Sequence, residues 1–308
     1  MTSGTQTISK PTILQRLQKA TYNGQRIDWS AYPLVLPFFI PFLTFTVVAI
    51  IFGAYIAFTD WNIIGSPHWI GFTNFNEAFR DPWVRKAFLN ILRYGIIIVP
   101  GVAILGLIFA VYVNQRWPLS AFARTAFYSP NVVSATVIGL VWVWMLDTQF
   151  GLINNYLNRL GLPNIPWLTS TQWSLIGVSI ASIWWDLGFS FILFLAALQE
   201  IPSELREAAA MDGANRLQSF WYVSLPQIRP TISMVITLQL ISTLRIFSQV
   251  YVMTNGGPAG SSESVIHYIY TEGIVRFRLG YTAAVSLLLF FVILIVTLIQ
   301  QRLIRERE

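Results

Sequence analysis

At 308 residues, 55% of them hydrophobic and only 11% charged, the chain carries less than half the charge of an ordinary soluble domain, where about 25% is usual; it reads as an integral membrane protein. Without a single cysteine it can hold no disulfide, no thiolate nucleophile and no Cys-based metal site. The net charge of +6 suits the cytoplasmic Lys and Arg of a membrane protein, and no basic stripe with interleaved aromatics argues for nucleic acid.

In chain order, residues 1–30 are polar, with Lys10, Arg16, Lys19 and Arg26, and the first apolar run starts only near Tyr32. A cleavable secretory signal would start sooner and be shorter, so this segment is expected to be a cytoplasmic tail. Its stretch PTILQRLQKATY sets Leu14 and Leu17 one turn apart, as in a helix lying on the membrane surface, though a flexible tail fits as well.

A helix needs about 20 mostly apolar residues to cross the hydrocarbon with every backbone amide satisfied internally. Six segments qualify: 31–59, 94–115, 125–146, 172–199, 230–252 and 279–301. Only the fourth and fifth contain a charge, Asp186 and Arg245 respectively. Pro33, Pro37 and Pro41 crowd the first span and Pro100-Gly101 interrupts the second, marking kinks or hinges. Trp61, Trp69, Trp83, Trp117, Trp167 and Trp173 fall near span ends, where indoles favour the interface. Arg93, at a span end, can snorkel.

With an even number of spans both termini share a side. The side holding the tails carries twelve Lys and Arg outside the spans: Lys10, Arg16, Lys19, Arg26, Arg116, Arg124, Arg206, Arg216, Arg229, Arg302, Arg305 and Arg307. The opposite side carries six: Arg80, Arg85, Lys86, Arg159, Arg276 and Arg278. The bias predicts that both tails and the 200–229 loop are cytoplasmic.

Catalytic apparatus is not legible. His68 and His267 are assigned to outer loops, without carboxylates at metal-ligand spacing. No G-x-S-x-G occurs, and none of the three lysines follows glycine, which rules out a phosphate-binding P-loop. Nucleotide-driven work must come from another polypeptide.

The loop 200–229 is the most structured polar stretch. Pro202 suits the first position of a helix and Glu204 its first turn, and Gly213 suits a left-handed stop after Asp212. Asn215 with Gln218 forms a capping pair for a second helix from Arg216, expected to end at Leu225-Pro226. Ala208, Ala209 and Ala210 keep the first helix thin, and Glu207 and Met211 share a face. Phe220, Trp221 and Tyr222 need a cover of protein or headgroups. The loop's net charge of −1 speaks against a DNA-binding helix-turn-helix. A structural elbow and a docking knob both remain open from the residues alone.

Glu207-Ala208-Ala209, Asp212-Gly213-Ala214 and, beyond the aromatics, Leu225-Pro226 ahead of Pro230 resemble the EAA signature of the permease subunits of ATP-binding-cassette importers. WIGFTNFNEAF (69–79), RTAFYSPNVVS (124–134), YVMTNGGPAGSSES (251–264) and FRLGYTAAVS (277–286) resemble the branch that carries oligosaccharides and glycerol-3-phosphate, and the likeness covers roughly residues 30–303. The extra N-terminal spans and large second outer loop of the maltose permease are missing.

The resemblance implies an all-α integral membrane protein of the type I importer permease fold. Its parts are the tail 1–30, a permease domain 31–303 of six spans holding the coupling helix-turn-helix 200–229, and a tail 304–308. It implies a second homologous permease subunit, two ATPase subunits that bind the ATP and Mg, an extracytoplasmic substrate-binding protein, surrounding membrane lipid, and no cofactor on this chain itself. Glu207, Ala208, Ala209, Met211, Asp212, Gly213, Leu225 and Pro226 are the expected ATPase-coupling residues. Glu207 would pair with a basic ATPase residue, the alanines would allow close approach and Gly213 the sharp turn. Gly256, Gly257 and Pro258 are where the binding protein is expected to dock, although Asn255-Gly256 favours a turn on local grounds alone.

For cargo, polar groups inside spans are the sequence-level clue, being expensive there. Sugars favour aromatic stacking with carboxylate and amide hydrogen bonds, so Asn131, Trp142, Trp185, Asp186, Arg245 and Gln249 are the candidates. The competing reading of Asp186 and Arg245 is an ion pair that fixes helix packing. A stand-alone secondary carrier would need a cation-responsive carboxylate, for which only Asp186 qualifies. An integral membrane enzyme would need clustered acids or histidines near an interface.

Overall fold

The computed structural model describes residues 21–22, 25–26, 32–62, 65–115 and 120–305. The expected tail lies outside the described residues apart from a two-residue antiparallel pair, β1 (Thr21–Tyr22) and β2 (Gln25–Arg26). Leu14, Leu17, Arg116, Trp117 and Arg307 also fall outside them.

Residues up to Tyr55 and residues from Ile56 onward make two compact units. In the first, α1 (Tyr32–Phe42) passes through a π-helical turn, Leu43–Val47, into α2 (Val48–Ile56). Pro37 and Pro41 lie inside α1. Each lacks the amide its turn requires, and the wider turn begins two residues after Pro41. Val35–Ile56, 22 residues, is long and apolar enough to cross a membrane.

The second unit begins with α3 (Thr73–Arg80) and α4 (Pro82–Asn114). Asp81 caps α4 by accepting from the Trp83 amide at 2.8 Å, and Pro82 occupies the first helical position, where no amide is missed. The span expected over 94–115 therefore starts three turns earlier: Arg85 and Lys86 are helical, because a 33-residue helix is about 50 Å long and outruns the hydrocarbon. Pro100 does not interrupt it. The helix continues through Pro100, held along its length by α8 (Ser174–Glu200).

Buried residues of α4 recur every three or four positions, through Ala87, Ile91, Tyr94, Ile98, Val102, Gly106, Ala110 and Val113. They join three apolar clusters. Tyr94, Ile98 and Val102 pack with Trp142, Val178 and Val250, Ile91 with Leu244, Val265 and Val285, and Ala110 and Val113 with Phe191, Phe194, Ile228 and Val235.

The third and fifth spans are both broken. The segment expected as one helix over 125–146 is α5 (Ser120–Val132) and α6 (Ala135–Met145), bent by 101° at Val133-Ser134. Ser134 turns extended and caps α6, its hydroxyl accepting from the Val137 amide at 3.4 Å. The fifth, expected over 230–252, is α12 (Arg229–Leu244) and α13 (Ser248–Met253). Among the described residues four helices are long and apolar enough to cross alone, five counting the bent α5–α6 pair. The fifth expected span does not qualify by itself: α12 has 16 residues and stops where polar Ser242, Thr243 and Arg245 follow one another closely. Gly188 marks the tight crossing of α8 and α5, since a β-carbon there would lie 2.5 Å from the Phe127 carbonyl oxygen.

Between α6 and α8, the loop around α7 (Leu152–Arg159) is organised by Asn154, which is 1% exposed. Its amide donates to the carbonyls of Asp147, Thr148 and Ile165, and its oxygen accepts from the Ile165 amide and the Trp167 indole, all within 3.3 Å. Trp167 is consequently buried in the core, where the sequence had suggested an interfacial indole. The chain closes with α14 (Val265–Tyr270), a π-helical turn Thr271–Val275, and α15 (Leu279–Arg305). Asp81 accepts from both Tyr268 and Tyr281, at 2.6 and 2.8 Å, tying α14 and α15 to the start of α4. Asn154→Leu fills the same space while leaving several buried backbone groups unpaired, at about 1–3 kcal/mol each. It is expected to lower the thermal unfolding midpoint in detergent by several degrees, and an unchanged midpoint would remove Asn154 as the organiser of this loop.

Candidate functional site

Three polar features remain once the apolar packing is assigned: a projecting loop, a pocket inside the spans, and a rigid loop at the opposite end.

The projecting loop is built as the sequence predicts at its tip. α9 (Ser203–Met211) follows Pro202, which is the residue before the helix instead of its first position. It ends in a Schellman arrangement: the Gly213 amide donates to Ala210 O at 3.1 Å and the Ala214 amide to Ala209 O at 2.9 Å. Gly213 adopts φ +83°, in the left-handed region where a β-carbon is strained. α10 (Arg216–Ser219) starts in a reciprocal capping box, Asn215 with Gln218, both bonds 2.8 Å. It does not end at Leu225-Pro226: the chain runs on through a π-helical turn, Phe220–Ser224, into α11 (Leu225–Gln227), which contains Pro226.

The loop's two ends are anchored while its tip is bare. Ile201 and Ile228 are buried with Val113, Phe194 and Leu198, and Leu225 packs on them. Glu207, Ala208, Asp212 and Gly213 are exposed, Ala209 is half-buried, and Met211 is 89% exposed. The face Glu207–Met211 thus offers a carboxylate and a bare thioether beside small side chains, a shape that can seat in another protein's groove.

The pocket, about 190 Å³, lies between α8 and the break of the fifth span. Asp186, Trp185 and Ser182 line it from α8, and Arg245, Ser248 and Gln249 from the broken segment. At the break Arg245 and Ile246 make only tight turns, their amides reaching Ser242 and Thr243 carbonyls at 3.1 Å. Helical carbonyls are freed there, which membranes tolerate only where backbone lines a cavity or is buried in protein. Of six candidates from sequence, four meet in this pocket. Asn131 stands behind it, its amide 3.5 Å from Trp185 O. Trp142 lies elsewhere, 6% exposed, beside Trp184 in an apolar recess, with its indole N–H unpaired among the described residues.

Asp186 and Arg245 share the pocket without forming an ion pair among the described residues. Trp185 commits its indole N–H to Val133 O at 3.1 Å, satisfying a carbonyl at the α5–α6 break; it braces the bend as well as lining the pocket. Ser182 and Ser248 were missed from sequence. Ser182 sits one turn before Asp186, and that i, i+4 spacing was the available signal.

The third feature is the loop 254–264. Asn255 and Gly256 both have positive φ, +48° and +76°, as the turn-forming pair predicts. Gly256 is buried, and Gly257 and Pro258 are half-buried. Fixed side chains hold this loop: Lys86 Nζ donates to Ala259 O at 2.7 Å, Asn90 to Gly260 O and Glu263 O at 3.0 Å, and Tyr94 to Ser262 O at 2.9 Å. Ser174 and Ser261 hydroxyls meet at 2.7 Å. His267, expected in a loop without carboxylates, is buried on α14, 2.5 Å from Glu263 Oε1 and 3.0 Å from Asn255 Oδ1. Among the described residues no group of acids and histidines is arranged to hold a metal ion.

Residues 102–307 match the model of a family described as binding-protein-dependent transport system inner membrane components. The chain is 32% identical over 243 residues to the sulfoquinovosyl glycerol transport system permease protein SmoG of Agrobacterium fabrum, covering 78% of each chain. It is 33% identical to the multiple sugar-binding transport system permease protein MsmF of Streptococcus mutans, covering 83% of this chain and 88% of that one. A solved structure of a bacterial alginate ABC transporter, in complex with an alginate pentasaccharide-bound periplasmic protein, contains a chain that superposes with a TM-score of 0.80 at 26% identity, covering 91% of this chain and 95% of that one. With its apolar helices, the match makes this a multi-pass inner-membrane transport subunit and not an enzyme: the chain belongs to the family of binding-protein-dependent transport system inner membrane components.

Proposed function

We propose that this chain is the permease subunit of an ATP-driven importer for a di- or oligosaccharide or a related polyol, working by alternating access. One observation carries the reading: a loop whose ends are sealed into the core and whose Glu207–Gly213 tip is held bare by a Schellman stop and a capping box. Such a knob suits a groove on a separate ATPase, since the chain has no P-loop of its own. The complex is completed by a second homologous permease, two ATPase subunits that bind ATP and Mg, and an extracytoplasmic binding protein. That protein meets the rigid loop around Gly256, Gly257 and Pro258. Both termini and the 200–229 loop face the cytoplasm, in keeping with the Lys and Arg bias.

In this reading Glu207 pairs with a basic residue of the ATPase, Ala208 and Ala209 let it approach, and Met211 and Asp212 complete the contact. Gly213 makes the turn, and Leu225 and Pro226 return the chain to the core. Cargo passes Asp186, Arg245 and Gln249, which offer a carboxylate, a guanidinium and an amide to sugar hydroxyls. Glycerol-3-phosphate, the alternative cargo within the same family, finds one cation there beside a carboxylate, an unfavourable setting for a phosphate dianion. A stand-alone carrier has no use for the bare knob.

Gly213→Asp places a side chain at φ +83°. The variant is expected to remain in the membrane while ATP hydrolysis no longer drives uptake into vesicles; normal transport would sink the coupling role. Co-purification is expected to recover an ATPase pair and a second permease, whereas a solitary chain active in vesicles would refute the importer reading. Asp186→Asn and Arg245→Gln, made separately, are each expected to lower the rate of sugar uptake by about tenfold or more, the scale of one lost charged hydrogen bond. Binding-protein affinity, measured by titration, should not change, and uptake at the parental rate in both variants would move the cargo path elsewhere.

A further inference from the structure

An apolar groove of about 620 Å³ runs between the C-terminal half of α4 and the second part of the projecting loop. One wall is Ile104, Ile108 and Val111, and the other is Leu217, Phe220 and Trp221. Ile104, Ile108, Leu217 and Trp221 are each more than half exposed. At the groove's polar end stand Gln115 and Arg216. Arg216 is exposed and forms no ion pair among the described residues, and no acid lines the groove.

The dimensions decide what fits. From Ile104 to the end of α4 at Asn114 is about 15 Å of helix, half of a hydrocarbon core of about 30 Å. The groove is therefore one leaflet deep, apolar throughout that depth, and closed, among the described residues, by the one cation Arg216, with Trp221 nearby at the level an indole prefers. An amphiphile with an apolar tail one leaflet long and one negative end complements it. A protein helix laid in the same groove would leave the guanidinium uncompensated unless it brought an acid to that one position.

We propose that this groove binds one anionic phospholipid of the leaflet beside the projecting loop, acyl chain along Ile104, Ile108 and Leu217, phosphate on Arg216. Lipid bound there bridges α4 and the turn between α10 and α11, and so stiffens the loop against the spans that carry it.

The assembled transporter, reconstituted in nanodiscs of phosphatidylcholine with a minority of phosphatidylglycerol and examined by native mass spectrometry, tests this. The wild type is expected to retain phosphatidylglycerol in preference to phosphatidylcholine. Arg216→Gln should weaken that retention about fivefold, the worth of one cation at an anionic surface, and Arg216→Lys should restore most of it. Arg206→Gln, whose cation lies outside the groove, should leave it unchanged. Ile108→Trp, which fills the groove, should remove the retained lipid whatever its headgroup. Equal retention by the wild type and Arg216→Gln, or a photo-crosslinker at position 217 that captures polypeptide in place of lipid, would overturn the proposal. Either result leaves the importer reading intact, since uptake by the same preparation tests that separately.

Discussion

A helix broken inside a bilayer frees backbone carbonyls and amides that no water can satisfy, so it persists only where protein supplies partners or a cavity. This chain breaks two spans, at Val133-Ser134 and at Arg245–Phe247, and sets α8 against both. Trp185 on α8 closes one account by donating its indole to Val133 O. The second break opens on the pocket that holds Asp186 and Arg245. Had α12 continued as a regular helix through residue 252, Gln249 would lie one turn beyond Arg245 on a packed face, and the tight turns that now ring the pocket would be missing. The pocket is a consequence of the break.

The same helices carry the projecting loop. α8 ends at Glu200 and reaches α9 through buried Ile201, while α12 starts directly after buried Ile228. Ile201 and Ile228 belong to one cluster with Val113, Phe194 and Val235. In the proposed cycle a displacement of the loop is delivered to α8 and α12 together, and with Asp186 within one and Arg245 at the end of the other it reaches the two charges of the pocket through about 20 Å of α8, from Asp186 to Glu200, at 1.5 Å per residue.

How legible this was follows from the scale of each signal. Hydropathy located the four helices long and apolar enough to cross and the bent α5–α6 pair, because a bilayer tolerates few other patterns, and local turn chemistry placed Gly213 and the Asn215–Gln218 box correctly. The breaks were not legible. Val133-Ser134 sits in an uncharged run, and its 101° bend depends on a tryptophan more than fifty residues away. The early start of α4 was hidden because Arg93 ends the uncharged run 94–115, although a charge stops a hydrophobic run without stopping a helix. Trp142 and Trp167 show the limit of composition: the sequence suggests a sugar platform for the first and an interfacial anchor for the second, and both are buried. His267 has one partner within reach of sequence spacing, Glu263 four residues earlier, and a second, Asn255, from a turn that folds back onto α14.

The separation of Asp186 from Arg245 is the most informative of these departures. Opposite charges sharing a small pocket within the spans would lower their energy by pairing, since each is costly there alone. Trp185 and its bond to Val133 hold the α8 side, and the turns at Ser242–Ile246 shape the other. A protein that needed only stability would let them meet or replace both with apolar side chains of similar volume. Both face one cavity without an ion pair between them among the described residues, which in the proposed function leaves hydrogen-bonding capacity for a polar cargo. In the proposed cycle that cargo is the sugar, and any motion of α8 against α12 changes the gap it must bridge.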